Sequence, residues 1–256
     1  VKPTALVTGA SGGIGYEFSH LLAKAGYQLI IVGRSETKLQ QLKSELQDHS
    51  VTIIPEDLSR PDSAGDIYRQ VKEKGRTVEV LVNNAGFGLN GAFEDLPLLE
   101  QKHMLQVNVH ALTELTHYFL PDIKETQLQG VPKGIVNIAS IAAFQPGPKM
   151  AVYYASKAYV LSFTEALHEE LRGRDLTITT VCPGATDTNF FKNAKAEGTK
   201  LVNYTMSPKQ VADQAFMGFV KGKRVIIPGK LNKSIAFSTR LVPRSLAAKL
   251  AHYLDT

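Results

Sequence analysis

The chain has 256 residues, 43% hydrophobic and 21% charged; that length can bury a core without staples, and that balance excludes a largely disordered, fibrous or membrane-spanning chain. A single cysteine, Cys182, excludes an internal disulfide and a multi-cysteine zinc site. The formal charge of +5 is uneven: residues 221–256 hold eight Lys/Arg against one acid, Asp255, a net +7, leaving 21 cations against 23 acids, or −2, for the first 220, and a near-neutral body argues against nucleic acid as a partner.

Short β-branched runs alternate with helix-length amphipathic stretches. Val1-Lys2-Pro3 leads directly into a strand at Ala5–Thr8, without a secretory leader, so the expected location is cytoplasmic. A helix follows over about 13–25, then a strand at Gln28–Val32. Ser35 is an N-cap for a helix with Leu39, Leu42 and Leu46 on one face. A strand at Val51–Ile54 precedes a helix opened by Pro61, and a strand at Val78–Asn83 precedes a long helix over about 99–119. Gly134–Ala139 is a strand, Ala151–Leu171 a helix and Thr177–Cys182 a strand. Ser207-Pro208 starts a helix to about Val220, and Arg224–Ile227 is the last strand. Near-continuous apolar strands alternating with helices predict one α/β domain over 1–256: a doubly wound (Rossmann-type) parallel sheet of about seven strands with helices on both faces. The least regular stretches are 127–133, 145–149 and 187–203, and 189–206 is expected to be a substrate-binding loop. The glycosylation sequons at Asn203-Tyr204-Thr205 and Asn232-Lys233-Ser234 are expected to be fortuitous.

Four motifs carry chemistry. The turn Thr8-Gly9-Ala10-Ser11-Gly12-Gly13-Ile14-Gly15 joins the first strand to the first helix, where glycines admit a ligand and free N–H groups favour a phosphate. No Lys-Ser/Thr follows, so it is not a P-loop. The second strand ends in Gly33-Arg34-Ser35. An acid there would bind a ribose 2′-hydroxyl; Arg34, with Ser11 nearby, suits a 2′-phosphate and favours NADP(H) over NAD(H). Asn83-Asn84-Ala85-Gly86 closes the fourth strand with small residues that permit close ligand approach. In Tyr153-Tyr154-Ala155-Ser156-Lys157, Tyr153 lies four residues and Tyr154 three from Lys157, so either phenol can share a helix face with the ammonium. A nearby ammonium lowers a phenol pKa and makes a general acid/base. Ser140 ends the fifth strand, at the sheet edge where ligands sit in such folds.

In order, Gly9/Gly13/Gly15, Asp57-Leu58, Asn83-Asn84-Ala85-Gly86, Asn108, Ser140, Tyr153-Tyr154-Ala155-Ser156-Lys157, Pro183-Gly184 and Thr188 resemble the short-chain dehydrogenase/reductase family. The resemblance covers about Thr4 to Thr188 and implies an NAD(P)-dependent oxidoreductase acting on a small carbonyl or alcohol. It selects Tyr153 as the acid/base, with Lys157 lowering its pKa and binding the nicotinamide ribose. It assigns Ser140 to the substrate oxygen and Asn108 to a proton relay through Lys157. It places Asp57 and Leu58 at the adenine, Asn84 with Ala85 and Gly86 in the cofactor cleft, and Pro183, Gly184 and Thr188 at the nicotinamide. It also implies a homodimer or homotetramer. Some NADP-using members carry a second basic residue before the middle glycine; here that position is Gly12, so Arg34 bears the preference.

Phe144, Met150, Phe190 and Phe191 are candidate walls of an apolar substrate pocket, with ordinary core packing the alternative and the favoured one for Phe144. Residues 231–256 form a basic amphipathic extension, with Leu246, Leu250 and Leu254 at four-residue spacing and Ala247 and Ala251 beside them. The expectation is a helix docked on its own domain or a partner subunit; an anionic membrane or an acyl carrier is the less favoured alternative. The seven histidines have no metal-ligand spacing. The rival functions are an NADP(H) sensor without turnover and a membrane- or carrier-associated 3-oxoacyl reductase.

Overall fold

The computed structural model describes residues 2–128, 130–200 and 205–254, the side chain of Leu254 excepted. Residues 201–204 of the expected substrate loop, including Asn203 and Tyr204 of the first sequon, lie outside the described residues, as do Gln129 and, in the C-terminal extension, Asp255 and Thr256.

Seven parallel strands form one sheet: β1 (Thr4–Thr8), β2 (Gln28–Gly33), β3 (Val51–Pro55), β4 (Val80–Asn83), β5 (Gly134–Ile138), β6 (Thr177–Val181) and β7 (Val225–Ile226). Their order is β3-β2-β1-β4-β5-β6-β7. Residues alternate across it. Ala5, Val7, Leu29, Ile31, Val80 and Val82 face one buried core; Leu6, Ile30, Val32 and Leu81 face another. The first core is closed by α1 (Gly13–Lys24), α2 (Glu36–Glu45) and α8 (Pro208–Val220). The second is closed by α3 (Ser63–Glu73) and α5 (Leu112–Glu125), with Leu167 of α6 (Ala151–Glu170) packed against it. This period-2 division is why these strands are apolar on both faces. The order reverses between β1 and β4, so a crevice opens at the carboxyl ends of those strands.

Three elements depart most from expectation. The helix expected from Pro61 starts at Ser63, because Asp62 before it takes a left-handed φ of 63° that a helix cannot continue through. β4 starts at Val80, two residues late. The long helix is three segments: α4 (Leu98–Leu105), a π-helical turn (Gln106–Ala111) and α5. Short helices follow: a 3₁₀ turn at Ile141–Phe144, α7 (Phe190–Asn193), α9 (Lys230–Ser238) and α10 (Arg244–Leu254). Among the described residues no helix is long and apolar enough to cross a membrane.

The extension meets its own domain through its alanines, not its leucines. α10 docks through Ala247 and Ala251, which are buried, while Leu246 and Leu250 are about half exposed at 45% and 53%. Ala251 packs in a cluster with Ala194 and Ala196. Only small side chains let the helix approach that closely, and this turns the leucines outward.

Candidate active site

The crevice is a cavity of about 640 Å³ lined from the glycine turn, the ends of β2, β4 and β5, α6 and the segment after β6. Its floor is a set of close backbone approaches. Gly9 has φ +64° and Gly13 φ +59°, a region that glycine occupies without a Cβ penalty. A Cβ on Gly15 would lie 2.4 Å from Asn84 Nδ2 and 2.6 Å from the Gly9 carbonyl oxygen. Asn84 holds this turn: its Nδ2 donates to the Thr8 and Gly9 carbonyls at 2.9 and 3.2 Å. The Thr8 hydroxyl accepts the N–H groups of Asn84 and Ala85, both at 3.0 Å. The free amides at the start of α1, with Ile14 in the lining, thus face open space.

At one end stand Arg34 and Ser35, with Ser11 Oγ placed 3.3 Å from where a Gly33 Cβ would be. Lys38, which sequence reasoning passed over, also borders this end; it lies in the first turn of α2, where Ser35 Oγ accepts its backbone N–H. Glu56 borders it too, but Arg60 engages its carboxylate at 3.1 Å. Asp57 Oδ1 is held by the N–H and hydroxyl of Ser59 at 3.0 and 2.9 Å. Leu58 is buried beside it and lines the cavity.

At the other end Tyr153 and Lys157 share one face of α6. Lys157 Nζ lies 5.8 Å from the Tyr153 ring centroid and donates to the Ile138 carbonyl at 2.9 Å. Tyr153 lines the cavity. The Tyr154 ring instead abuts Gly147, where a Cβ would come within 2.3 Å of it. Geometry therefore separates the two phenols that spacing left equivalent.

Asn108 sits in the π-helical turn. Its Oδ1 accepts the Phe87 N–H at 3.1 Å, and its Nδ2 donates to the Phe87 carbonyl and the Ser156 hydroxyl, both at 3.0 Å. Oδ1 and Lys157 Nζ converge on Gly86, 3.0 and 3.3 Å from a Cβ built there. Such turns often mark functional sites, because the widened backbone re-aims a side chain. Ser140 caps the 3₁₀ turn through Ala142 N–H at 3.1 Å and lines the cavity. Pro183, Gly184 and Thr188 line it from the segment after β6, and the Thr188 methyl is 2.9 Å from a Cβ built on Gly13.

Beneath lies a buried polar ladder that sequence reasoning missed. Asn83 Nδ2 donates to Thr116 Oγ1 (3.1 Å) and Asn137 Oδ1 (2.9 Å); Asn137 Nδ2 donates to Thr164 Oγ1 (2.9 Å). It ties α5, β4, β5 and α6 together at the level of the site. The signal was an asparagine in the middle of the apolar strand Gly134-Ile-Val-Asn-Ile. Of the four apolar candidates, Phe190 borders the cavity, its ring centroid 5.2 Å from that of Tyr153. Met150 and Phe191 pack in the cluster behind it, and Phe144 packs against a different cluster around Leu112 and Val160. Leu89 and His103 line the same end.

A family model for short chain dehydrogenase matches residues 3–198. The chain belongs to the short-chain dehydrogenase family. Sulfoacetaldehyde reductase 2 of Chromohalobacter salexigens is 36% identical over 190 residues, 72% of this chain and 73% of that protein. Ketoacyl reductase HetN of Nostoc sp. is 33% identical over 223 residues, 86% of this chain and 76% of its own. A solved short-chain dehydrogenase from Sphingobium yanoikuyae, in complex with NADPH, has a TM-score of 0.81 at 29% identity, covering 96% of this chain and 94% of that one.

This short-chain dehydrogenase is an oxidoreductase, and its cleft fits a nicotinamide dinucleotide. Gly12, Gly13 and Ile14 line the cavity and a Cβ on Gly12 would meet nothing within 4 Å, so backbone there lies open to a pyrophosphate; cations stand at one end and a phenol–ammonium pair at the other.

Burial lowers the pKa of Lys157 from 10.5 to about 8, with a smaller opposing influence from Cys182. Burial likewise pushes the Cys182 thiol up to about 12, which leaves it a neutral, packed side chain rather than a nucleophile. Below pH 8 the folded protein buries an ammonium at full cost. Between about pH 8 and 10.5 the unfolded chain holds a proton that the folded one has shed, so stability rises with pH. Urea unfolding of wild type and Lys157→Met across this range is expected to show wild type gaining on the variant by on the order of 3 kcal/mol. A pH-independent difference would contradict the buried-ammonium assignment.

Proposed function

We propose that this short-chain dehydrogenase is an NADP(H)-dependent carbonyl reductase, reversible toward the alcohol. The observation that carries this reading is the Lys157 ammonium held over the Tyr153 ring at one end of a dinucleotide-sized cleft. When bound, the nicotinamide supplies hydride chemistry. Tyr153 gives its phenolic proton to the substrate oxygen during reduction and takes one back during oxidation. Lys157 stabilises the phenolate electrostatically, and its burial strengthens that effect. Ser140 hydrogen-bonds the substrate oxygen, and its position at the head of a 3₁₀ turn fixes its rotamer. Asn108, whose Oδ1 converges with Lys157 Nζ on the same side of Gly86, holds the proton path to Lys157 in register. Phe190, with Asn189 and Asn193 beside it in the cavity wall, shields the reacting carbonyl from water. Sulfoacetaldehyde reductase 2 and ketoacyl reductase HetN support reduction of a carbonyl, and the NADPH-bound Sphingobium enzyme supports the cofactor.

Asp57 and Leu58 take the adenine side, Asn84, Ala85 and Gly86 the cleft wall, and Pro183, Gly184 and Thr188 the nicotinamide. Arg34 is exposed at the ribose end, with Ser11 and Lys38 beside it; the three match a 2′-phosphate better than a 2′-hydroxyl. Arg34→Ala is expected to weaken NADPH binding by about 10–100-fold while changing NADH binding little. Titration of wild type and Arg34→Ala into each reduced cofactor, read by the nicotinamide's own fluorescence, checks this, and equal weakening of both would refute the preference. The activity itself is tested by following NADPH consumption with a panel of aldehydes, ketones and 3-oxoacyl thioesters. Binding of NADPH without turnover of any of them would favour a sensor.

A further inference from the structure

We propose that the C-terminal extension, α9 and α10, docks the enzyme on an anionic lipid surface. From Lys221 to Leu254 the chain has eight cations and no acid. Lys230, Lys233, Arg240, Arg244 and Lys249 are exposed, and among the described residues none makes an ion pair. Elsewhere in the sequence acids and cations nearly cancel, so the net positive charge is concentrated in this region.

Exposed apolar side chains accompany the charge. On α10, Leu246, Leu250 and Tyr253 recur at helical spacing and are 45%, 53% and 63% exposed; Leu231, Phe237 and Leu241 are exposed between 57% and 71%. A helix that buries its alanines and presents leucines among lysine and arginine has the chemistry of an interfacial helix: apolar side chains enter the acyl boundary while cations meet lipid phosphates. A second copy of the chain is a poorer occupant, because a twofold contact through this face would oppose two strongly positive surfaces.

The extension also touches the walls of the cleft. Ala251 packs with Ala194 and Ala196, beside Phe190 and Asn193, which line the cavity. Lys200 Nζ donates to the Tyr253 carbonyl at 3.1 Å and sits 3.5 Å from its ring centroid. In α9, Asn232 Oδ1 is 2.3 Å from a Cβ built on Gly184. Seating the extension on a lipid surface thus sets that surface beside the substrate segment, suited to carbonyls that partition into a bilayer.

The test is co-sedimentation of the full chain with phosphatidylcholine vesicles, with and without phosphatidylglycerol. Wild type is expected to bind only the anionic vesicles and to release as salt rises from about 0.1 to about 0.5 M. Leu246→Glu/Leu250→Glu is expected to lower the partition coefficient roughly tenfold or more, and Arg244→Glu/Lys249→Glu to do so independently. Both variants should keep the wild-type Tm and turnover of a soluble carbonyl, since all four side chains are exposed. Failure to bind anionic vesicles, or binding that neither double variant weakens, overturns the proposal. So does a wild-type dimer that dissociates in the leucine variant without vesicle binding, which assigns the face to a second copy. Binding to an acidic carrier protein but not to vesicles likewise overturns it.

Discussion

Tyr153→Phe is expected to lower kcat for carbonyl reduction by about 10²–10⁴-fold, the range supplied by a positioned general acid. Phenylalanine keeps the ring that packs against Phe190 and Tyr154, so Tm should move little and NADPH affinity should stay within about threefold. The loss therefore falls on the proton step rather than on folding or binding. Tyr154→Phe is the internal control. Its ring abuts Gly147 outside the cavity lining, and turnover should stay within about threefold of wild type. Steady-state kinetics with one reactive ketone decide the matter. Equal losses in both variants would mean that the helix, not the phenol, was disturbed; undiminished turnover in Tyr153→Phe would remove its catalytic role.

The second large effect is expected at Gly15. An alanine methyl there must displace either Asn84 Nδ2 or the Gly9 carbonyl, and both are locked by the hydrogen bonds that join β1 to β4. Overpacking against fixed neighbours costs about 2–3 kcal/mol, a fall in Tm of roughly 5–10 °C. The distorted turn should also weaken NADPH binding by more than tenfold, since its amides no longer converge on one pyrophosphate. Gly12→Ala is the contrast. Its backbone is extended at φ 171°, and a Cβ there meets nothing within 4 Å, so the Tm of the cofactor-free protein should not change. Thermal melts and NADPH titration of both variants check the pair. A Gly15→Ala protein as stable as wild type would contradict the locked turn.

Both effects were legible in the sequence to different depths. The alternation of apolar strands and helices reports the layers directly, because the central strands bury both faces. Gly9, Gly13 and Gly15 could be read because a strand–turn–helix context leaves few other uses for three glycines. Spacing could not separate Tyr153 from Tyr154, since a helix places i+3 and i+4 neighbours almost equally well; the family resemblance chose Tyr153, and Gly147 shows where the other ring goes. The π-helical turn at Asn108 was invisible because Val107, Ala111, Leu112 and Leu115 keep an unbroken helical pattern through it. Lys38 reads as a solvated lysine until the fold sets it beside Arg34. The polar ladder joins Asn83, Thr116, Asn137 and Thr164, partners too far apart in sequence for any local pattern. Hydrophobic spacing in α10 reports an amphipathic helix without saying which stripe is docked; the small partners Ala194 and Ala196 decide that it is the alanines.

Central to this account is that the cleft transfers hydride to a carbonyl carbon rather than merely binding a dinucleotide. The most direct measurement is a reaction with NADPH deuterated at the nicotinamide C4, followed by mass spectrometry of the product. Deuterium on the carbinol carbon of the alcohol with wild type, and its loss in Tyr153→Phe, is the predicted result. NADPH bound at the cleft with no deuterium delivered to any carbonyl of the panel would contradict it.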